Sequence, residues 1–194
     1  SACKEKEAFW SGYRLSEYQF VVINNIDPTT MEDQESIMRT VLSRMLNQFQ
    51  SEWERRTNPS ALGLCQPECA QTERLTLLNM FQKCYQNLQV MDNGSGQQDI
   101  DLLDQMMELG DSANMRGAMY RLIRKFLKFM CPNVKKTCLV IQIDDADFNI
   151  PRAYNIIDDI RRYLVLPQVL VLLSANMTQL ETTVEQHFID EYSH

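Results

Sequence analysis

Two short apolar runs near the C-terminus, TCLVIQI at 137–143 and PQVLVLL at 167–173, constrain the fold more than any other feature of the chain. Both are nearly continuous in Val, Ile and Leu, with no polar residue on every second position. That pattern belongs to strands of a parallel sheet whose faces are both covered, because a half-solvated strand would alternate apolar and polar residues. Residues 151–164, opened by Pro151, read as a helix between the two runs, and residues 179–192 read as a closing helix. An earlier run, YQFVVINNI at 18–26, ends at Asp27-Pro28 and reads as another strand, since the proline favours an extended or turning residue before it. The expected fold is α/β: a three-layer parallel sheet with three recognisable strands.

The middle of the chain is helical in pattern. Thr29 or Thr30 is placed to cap a helix over 31–56, in which Ile37, Val41, Met45 and Phe49 recur every fourth residue. Residues 58–63 carry turn chemistry, and a second helix is expected over 73–90. The segment 92–98, DNGSGQQ, reads as the most flexible stretch, followed by a short acidic helix at 99–109 and another helix at 112–130. The last carries Met115, Met119, Leu122, Ile123, Phe126 and Phe129 on one face, read as core, and Arg116, Arg121, Arg124, Lys125 and Lys128 elsewhere, read as a solvated surface. Residues 58–133 therefore read as a helical insertion within one domain, 1–194.

Composition removes several classes of function. A hydrophobic fraction of 44% with only 6 Gly and 6 Pro in 194 residues excludes a collagen-like or wholly disordered chain. A formal charge of −7 and a pI near 4.9 argue against a general nucleic-acid grip, which needs a basic face to displace counterions. The first residues are polar, with no apolar core of a secretory signal, and no apolar run approaches the length of about 20 residues that spans a bilayer. A cytoplasmic protein with reduced thiols and no membrane partner is the expectation for the six cysteines. Cys65 and Cys69, spaced C-x-x-x-C, are the only candidate metal pair, and the two histidines, His187 and His194, are far from them in sequence.

In a parallel sheet, ligands bind beyond the carboxyl ends of the strands. All three strands carry polar residues there: Asn24, Asn25 and Asp27; Asp144, Asp145 and Asp147; Ser174 and Asn176. Two adjacent carboxylates directly after an apolar strand are costly to desolvate unless donors or a cation offset them, and a hard oxygen-seeking cation such as Mg²⁺ suits that role.

TCLVIQIDDADFN resembles the Walker B strand of P-loop NTPases, and PQVLVLLSAN resembles the sensor strand that follows it. With VVINNIDPTTMEDQESIM, the likeness is greatest to KAP-type and related signal-transducing NTPases, although Phe148 stands where that pattern has Arg. The resemblance implies a nucleotide-dependent switch using ATP and Mg²⁺. Asp144 would hold Mg²⁺ through water, Asp145 would polarise the attacking water as the catalytic residue, and Ser174 and Asn176 would face the nucleotide, Asn176 as the γ-phosphate sensor. The phosphate-cradling G-x-x-x-x-G-K-[ST] loop is missing, since no Gly-Lys occurs anywhere in the chain. The family places that loop and its strand before the position of Ser1 and beside the sensor strand. Either the loop has been lost by evolution or the chain is the C-terminal part of a longer protein; truncation is the favoured expectation, with the edge of PQVLVLL open to self-association or to another segment. The alternatives are a non-catalytic interaction domain retaining the fold and a haloacid-dehalogenase-like phosphatase using Asp145, Asp147 and Ser174. The latter, like a receiver domain, needs a downstream lysine, and none follows Lys136.

Overall fold

Thr137–Ile143 forms the middle strand of a three-stranded, wholly parallel sheet in the computed structural model, which describes residues 17–31, 36–57, 67–93, 102–147 and 150–192. In chain order the elements are β1 (Gln19–Val22), α1 (Ile37–Thr57), α2 (Pro67–Asn93), α3 (Leu102–Met130), β2 (Thr137–Ile143), α4 (Ile150–Asp159), β3 (Val169–Leu173) and α5 (Met177–Tyr192). A π-helical turn, Ile160–Leu164, extends α4. The strands lie in the order β1-β2-β3, with Phe20 beside Cys138 and Val140 beside Leu170. The middle strand is the longest and the most enclosed in space.

One face of the sheet is packed and the other is bare among the described residues. Val21, Ile23, Leu139, Ile141 and Ile143 are buried beneath the helices, whereas Tyr18, Phe20, Val22, Leu170 and Leu172 are each between 41% and 46% exposed. The expectation of a sheet covered on both faces is thus not met within the described residues. The topology explains the asymmetry. Right-handed crossovers that step in the same direction across a sheet place their helices on the same side, and both connections here step from β1 towards β3.

The helical layer has its own aromatic centre. Phe49 of α1 meets Phe129 of α3 edge-on at 4.8 Å, and Phe81 of α2 meets Phe126 of α3 at 6.5 Å, the tilted arrangements that ring quadrupoles favour. At the end of α1, Arg55 and Arg56 both bond Glu52, whose carboxyl they pull down to about 2. Arg56 also donates to the Met130 carbonyl and stacks over Phe129, so the last turn of α1 is tied to the end of α3. Gln48 of α1 donates to the Val22 carbonyl and fastens the same helix to β1.

Element boundaries moved where capping groups compete. Helix α1 begins at Ile37 rather than near residue 31, with the Ser36 hydroxyl accepting from the Met38 amide. The threonines do not cap it. Instead Asp27 accepts from the Thr29 amide and hydroxyl and holds a short 3₁₀ turn, Pro28–Thr30, and these bonds keep its carboxyl below the usual aspartate value. The two helices expected over 99–109 and 112–130 are one continuous helix, α3, which runs through Gly110. A mid-helix glycine costs only about 1 kcal/mol relative to alanine, less than the burial of the apolar face beyond it supplies. Of the flexible stretch expected at 92–98, Asp92 and Asn93 instead form the end of α2, and the rest lies outside the described residues, as do Cys65, Phe148 and His194.

Candidate functional site at the carboxyl edge of the sheet

The loop after β1 contains a register slip. Val22 pairs with Val140, but Ile26 pairs with Ile143, so the first strand carries one extra residue over this interval, accommodated at Asn24-Asn25. Hydrogen bonds from the Ile26 amide to the Gln142 carbonyl and from the Asp144 amide to the Ile26 carbonyl close the bulge. A bulge at a strand end redirects side chains towards whatever lies at that edge. Here it brings the Asn25 amide towards the Asp144 carboxylate, at 3.5 Å.

Strand β2 delivers the acidic pair. Asp144 is half-buried and Asp145 is exposed. The Asp144 carboxylate accepts the backbone amide of Asp145 at 3.2 Å, and Asp145 has φ 47°, a left-handed conformation that Asp tolerates better than most residues. The turn is held from the neighbouring strand end: the Ala146 amide donates to the Ser174 carbonyl, and the Ser174 amide donates to the Ile143 carbonyl. Asp144 is therefore fixed between the ends of β1 and β3.

An open cleft of about 400 Å³ lies at this corner, lined by Asn25, Gln142, Asp144 and Ser174 with Ile143, Leu172 and Leu173. Gln142 and Leu172 stand on the bare face of the sheet, so the cleft opens on the uncovered side. Any polypeptide that covered that face would form its second wall. The arrangement offers one carboxylate, one hydroxyl and two amides to a polar ligand. Among the described residues no three His, Cys, Asp or Glu side chains gather into a metal-binding group. A site of this kind suits a largely hydrated cation that a ligand's own oxygens help to hold, as Mg²⁺ often is, and does not suit an all-protein cage.

The expected site residues divide. Asp144 and Ser174 line the cleft together; Asp145 and Asn176 do not. Asn176 instead caps α5: its side-chain oxygen accepts the amides of Thr178 and Gln179 at 3.1 and 3.3 Å. Asp147 is linked to the same helix through its carbonyl, which accepts from the Gln179 side chain. Asn176→Ala should cost about 1 kcal/mol of stability by removing the cap, and Asn176→Asp should preserve it, both readable by thermal unfolding. An equal loss in the two variants would contradict the capping role.

One residue lining the cleft, Gln142, is not among the sequence-derived candidates. Gln142 interrupts the apolar run that follows Thr137 in TCLVIQI, and that interruption is the available signal for a side chain serving something other than the core. At the opposite end of the sheet Gln168, at φ 68°, turns the chain into β3 and donates its side-chain amide to the Thr137 carbonyl, away from the cleft. No family model matches the chain, and no curated protein matches it.

Proposed function

We propose that this chain is the acid-bearing half of a nucleotide site of P-loop NTPase type, taking ATP with Mg²⁺ and acting as a nucleotide-dependent switch. The observation that carries the reading is the convergence of Asp144, Ser174 and Asn25 at one carboxyl edge of a parallel sheet, beside an uncovered face. Asp144 would hold hydrated Mg²⁺, which neutralises charge on phosphate oxygens. Asp145, exposed on the turn next to Asp144, would orient a water, and Ser174 would face the phosphates. Asn176 would sense them through its amide nitrogen while its oxygen caps α5. A phosphate-cradling loop would come from polypeptide lying on the bare face and along β3, completing a three-layer sheet. The same reading places the protein in the cytoplasm with reduced thiols, with nucleotide and a protein segment as partners and no nucleic acid. Among the described residues no helix is long and apolar enough to cross a membrane.

A non-catalytic interaction domain is the second reading, favoured by the five large apolar side chains on the outer sheet face. Under both readings that face and the β3 edge attract a partner. Light scattering should show self-association that Phe20→Ser with Leu172→Ser reduces. A monodisperse monomer, with both residues open to solvent, would contradict the partner part of the reading. The nucleotide part is tested by titrating MgATP into the chain and following backbone amides by NMR. Perturbation is expected at Asn25, Asp144 and Ser174, saturating no tighter than about millimolar because the phosphate loop is missing. Perturbation centred elsewhere, or none, would reject it.

A further inference from the structure

Between Asp111 and Asp144 the chain has no aspartate or glutamate, yet this stretch carries seven of the 19 Lys and Arg. Five of them, Arg116, Arg121, Arg124, Lys125 and Lys128, lie on α3, and Arg116 donates to the Val165 carbonyl. The other four stand on the side of α3 opposite its buried residues Met119, Leu122, Ile123 and Phe126. Arg121, Arg124 and Lys128 are exposed, and Lys125 is half-buried. Arginines on other helices meet carboxylates, Arg55 and Arg56 on Glu52 and Arg161 and Arg162 on Asp158. Among the described residues, the four cations on α3 form no ion pair.

Their neighbours are one another. The spacing sets Arg121 beside Arg124 and Lys125, and Lys128 beside Arg124 and Lys125, like-charge pairs at three and four residues that each weaken a helix. The helix dipole favours cations only in the last turn, which holds Lys128. Uncharged residues one turn back nevertheless hold two of the guanidiniums. Arg124 lies 5.6 Å over the Tyr120 ring, and the Arg121 guanidinium folds back over Gly117, 3.5 Å from where a β-carbon would stand. A guanidinium held in this way still offers edge N–H donors in a planar fork. A row of mutually repelling, pre-positioned cations is a local conflict that a ligand of opposite charge resolves.

We infer that this face of α3 docks an acidic helical segment of a partner protein, with its carboxylates on Arg121, Arg124, Lys125 and Lys128. Seven residues separate Arg121 from Lys128, about 10 Å at the helical rise. A partner helix with Glu or Asp at i, i+3, i+4 and i+7 repeats that spacing, so carboxylate meets cation turn by turn. A nucleic acid suits the face less well. Its grip grows with the number of phosphates neutralised, this row supplies four cations, and the chain's 26 acidic residues repel the rest of a long polyanion. None of the four lines the cleft at the carboxyl edge, so the inference is independent of nucleotide binding there.

The test is fluorescence anisotropy of the full chain against a labelled alanine-based peptide of about 15 residues, long enough to form helix, with glutamates at i, i+3, i+4 and i+7. The peptide should bind saturably and weaken steeply as salt screens the pairing. Arg121→Gln with Arg124→Gln should weaken it by roughly tenfold or more, with the circular dichroism spectrum intact. Lys128→Gln, a single change at an exposed position, should weaken it separately by about threefold or more. Arg161→Gln with Arg162→Gln removes the same net charge from arginines already paired with Asp158, and should leave the affinity within about twofold. Equal losses in the two double variants, or parent-like affinity in both Arg121→Gln with Arg124→Gln and Lys128→Gln, would overturn the assignment. So would tighter binding of a single-stranded oligonucleotide of equal charge or of phosphatidylserine vesicles, since the face would then belong to nucleic acid or to lipid.

Discussion

Phe126→Ala is expected to remove about 3–5 kcal/mol of unfolding free energy, the usual cost of truncating a fully buried phenylalanine. Phe126 is 0% exposed and sits where α3 meets α2, edge-on to Phe81, in an aromatic group that also holds Phe49 and Phe129. Its removal loses apolar burial and leaves a cavity that helices anchored at both ends cannot collapse to fill. Phe20 carries the same side chain on the outer face of the sheet at 41% exposure, and Phe20→Ala should cost about 1–2 kcal/mol, because part of the ring is already in water and its removal leaves no enclosed cavity. Urea denaturation of the two variants, with unchanged slopes, measures the contrast. Similar losses at both positions would mean that the outer face is already covered in solution.

The second large effect concerns chemistry. In any preparation containing this chain that hydrolyses ATP, Asp145→Asn should lower turnover by about 10²-fold or more while largely sparing nucleotide binding, because an amide orients a water poorly and accepts no proton. The conformation sharpens the test. Asp145 holds φ 47°, which asparagine adopts as readily as aspartate, so the substitution changes charge without disturbing the turn. Steady-state turnover and nucleotide affinity measured side by side separate the two effects. Unchanged turnover rejects the role given to Asp145, and lost affinity with preserved turnover would make it a binding residue instead.

How much of this was legible in one dimension depended on what the residues had to distinguish. The run TCLVIQI gave β2 with both its ends because the basic pair Lys135-Lys136 and the acidic pair Asp144-Asp145 bound it sharply. The same apolar continuity misled on layers. Leu170 and Leu172 are as apolar as Val169 and Val171, and composition alone cannot tell a covered face from a bare one. The stepping direction of the strands decides that, and it is a property of pairing. Helix starts were obscured by competition: Asp27, Thr29, Thr30 and Ser36 can all accept a helix-terminal amide, and the turn at Pro28 went to Asp27 while α1 went to Ser36. At Asn176 the sequence offered a ligand and a cap at once, and the pair of amides two and three residues on favours the cap. The bulge that turns Asn25 towards Asp144 had no sequence signal beyond two adjacent asparagines.

The central claim is that the ends of β1, β2 and β3 form one cation-assisted phosphate site with Asp144 at its centre. Mn²⁺ substitutes for Mg²⁺ at oxygen ligands and broadens nearby NMR signals, so adding it with ATP to the chain locates the site directly. The account predicts broadening of the amides of Asn25, Asp144, Asp145 and Ser174, abolished by Asp144→Asn. Broadening spread over the other acidic residues, or surviving in Asp144→Asn, would contradict it.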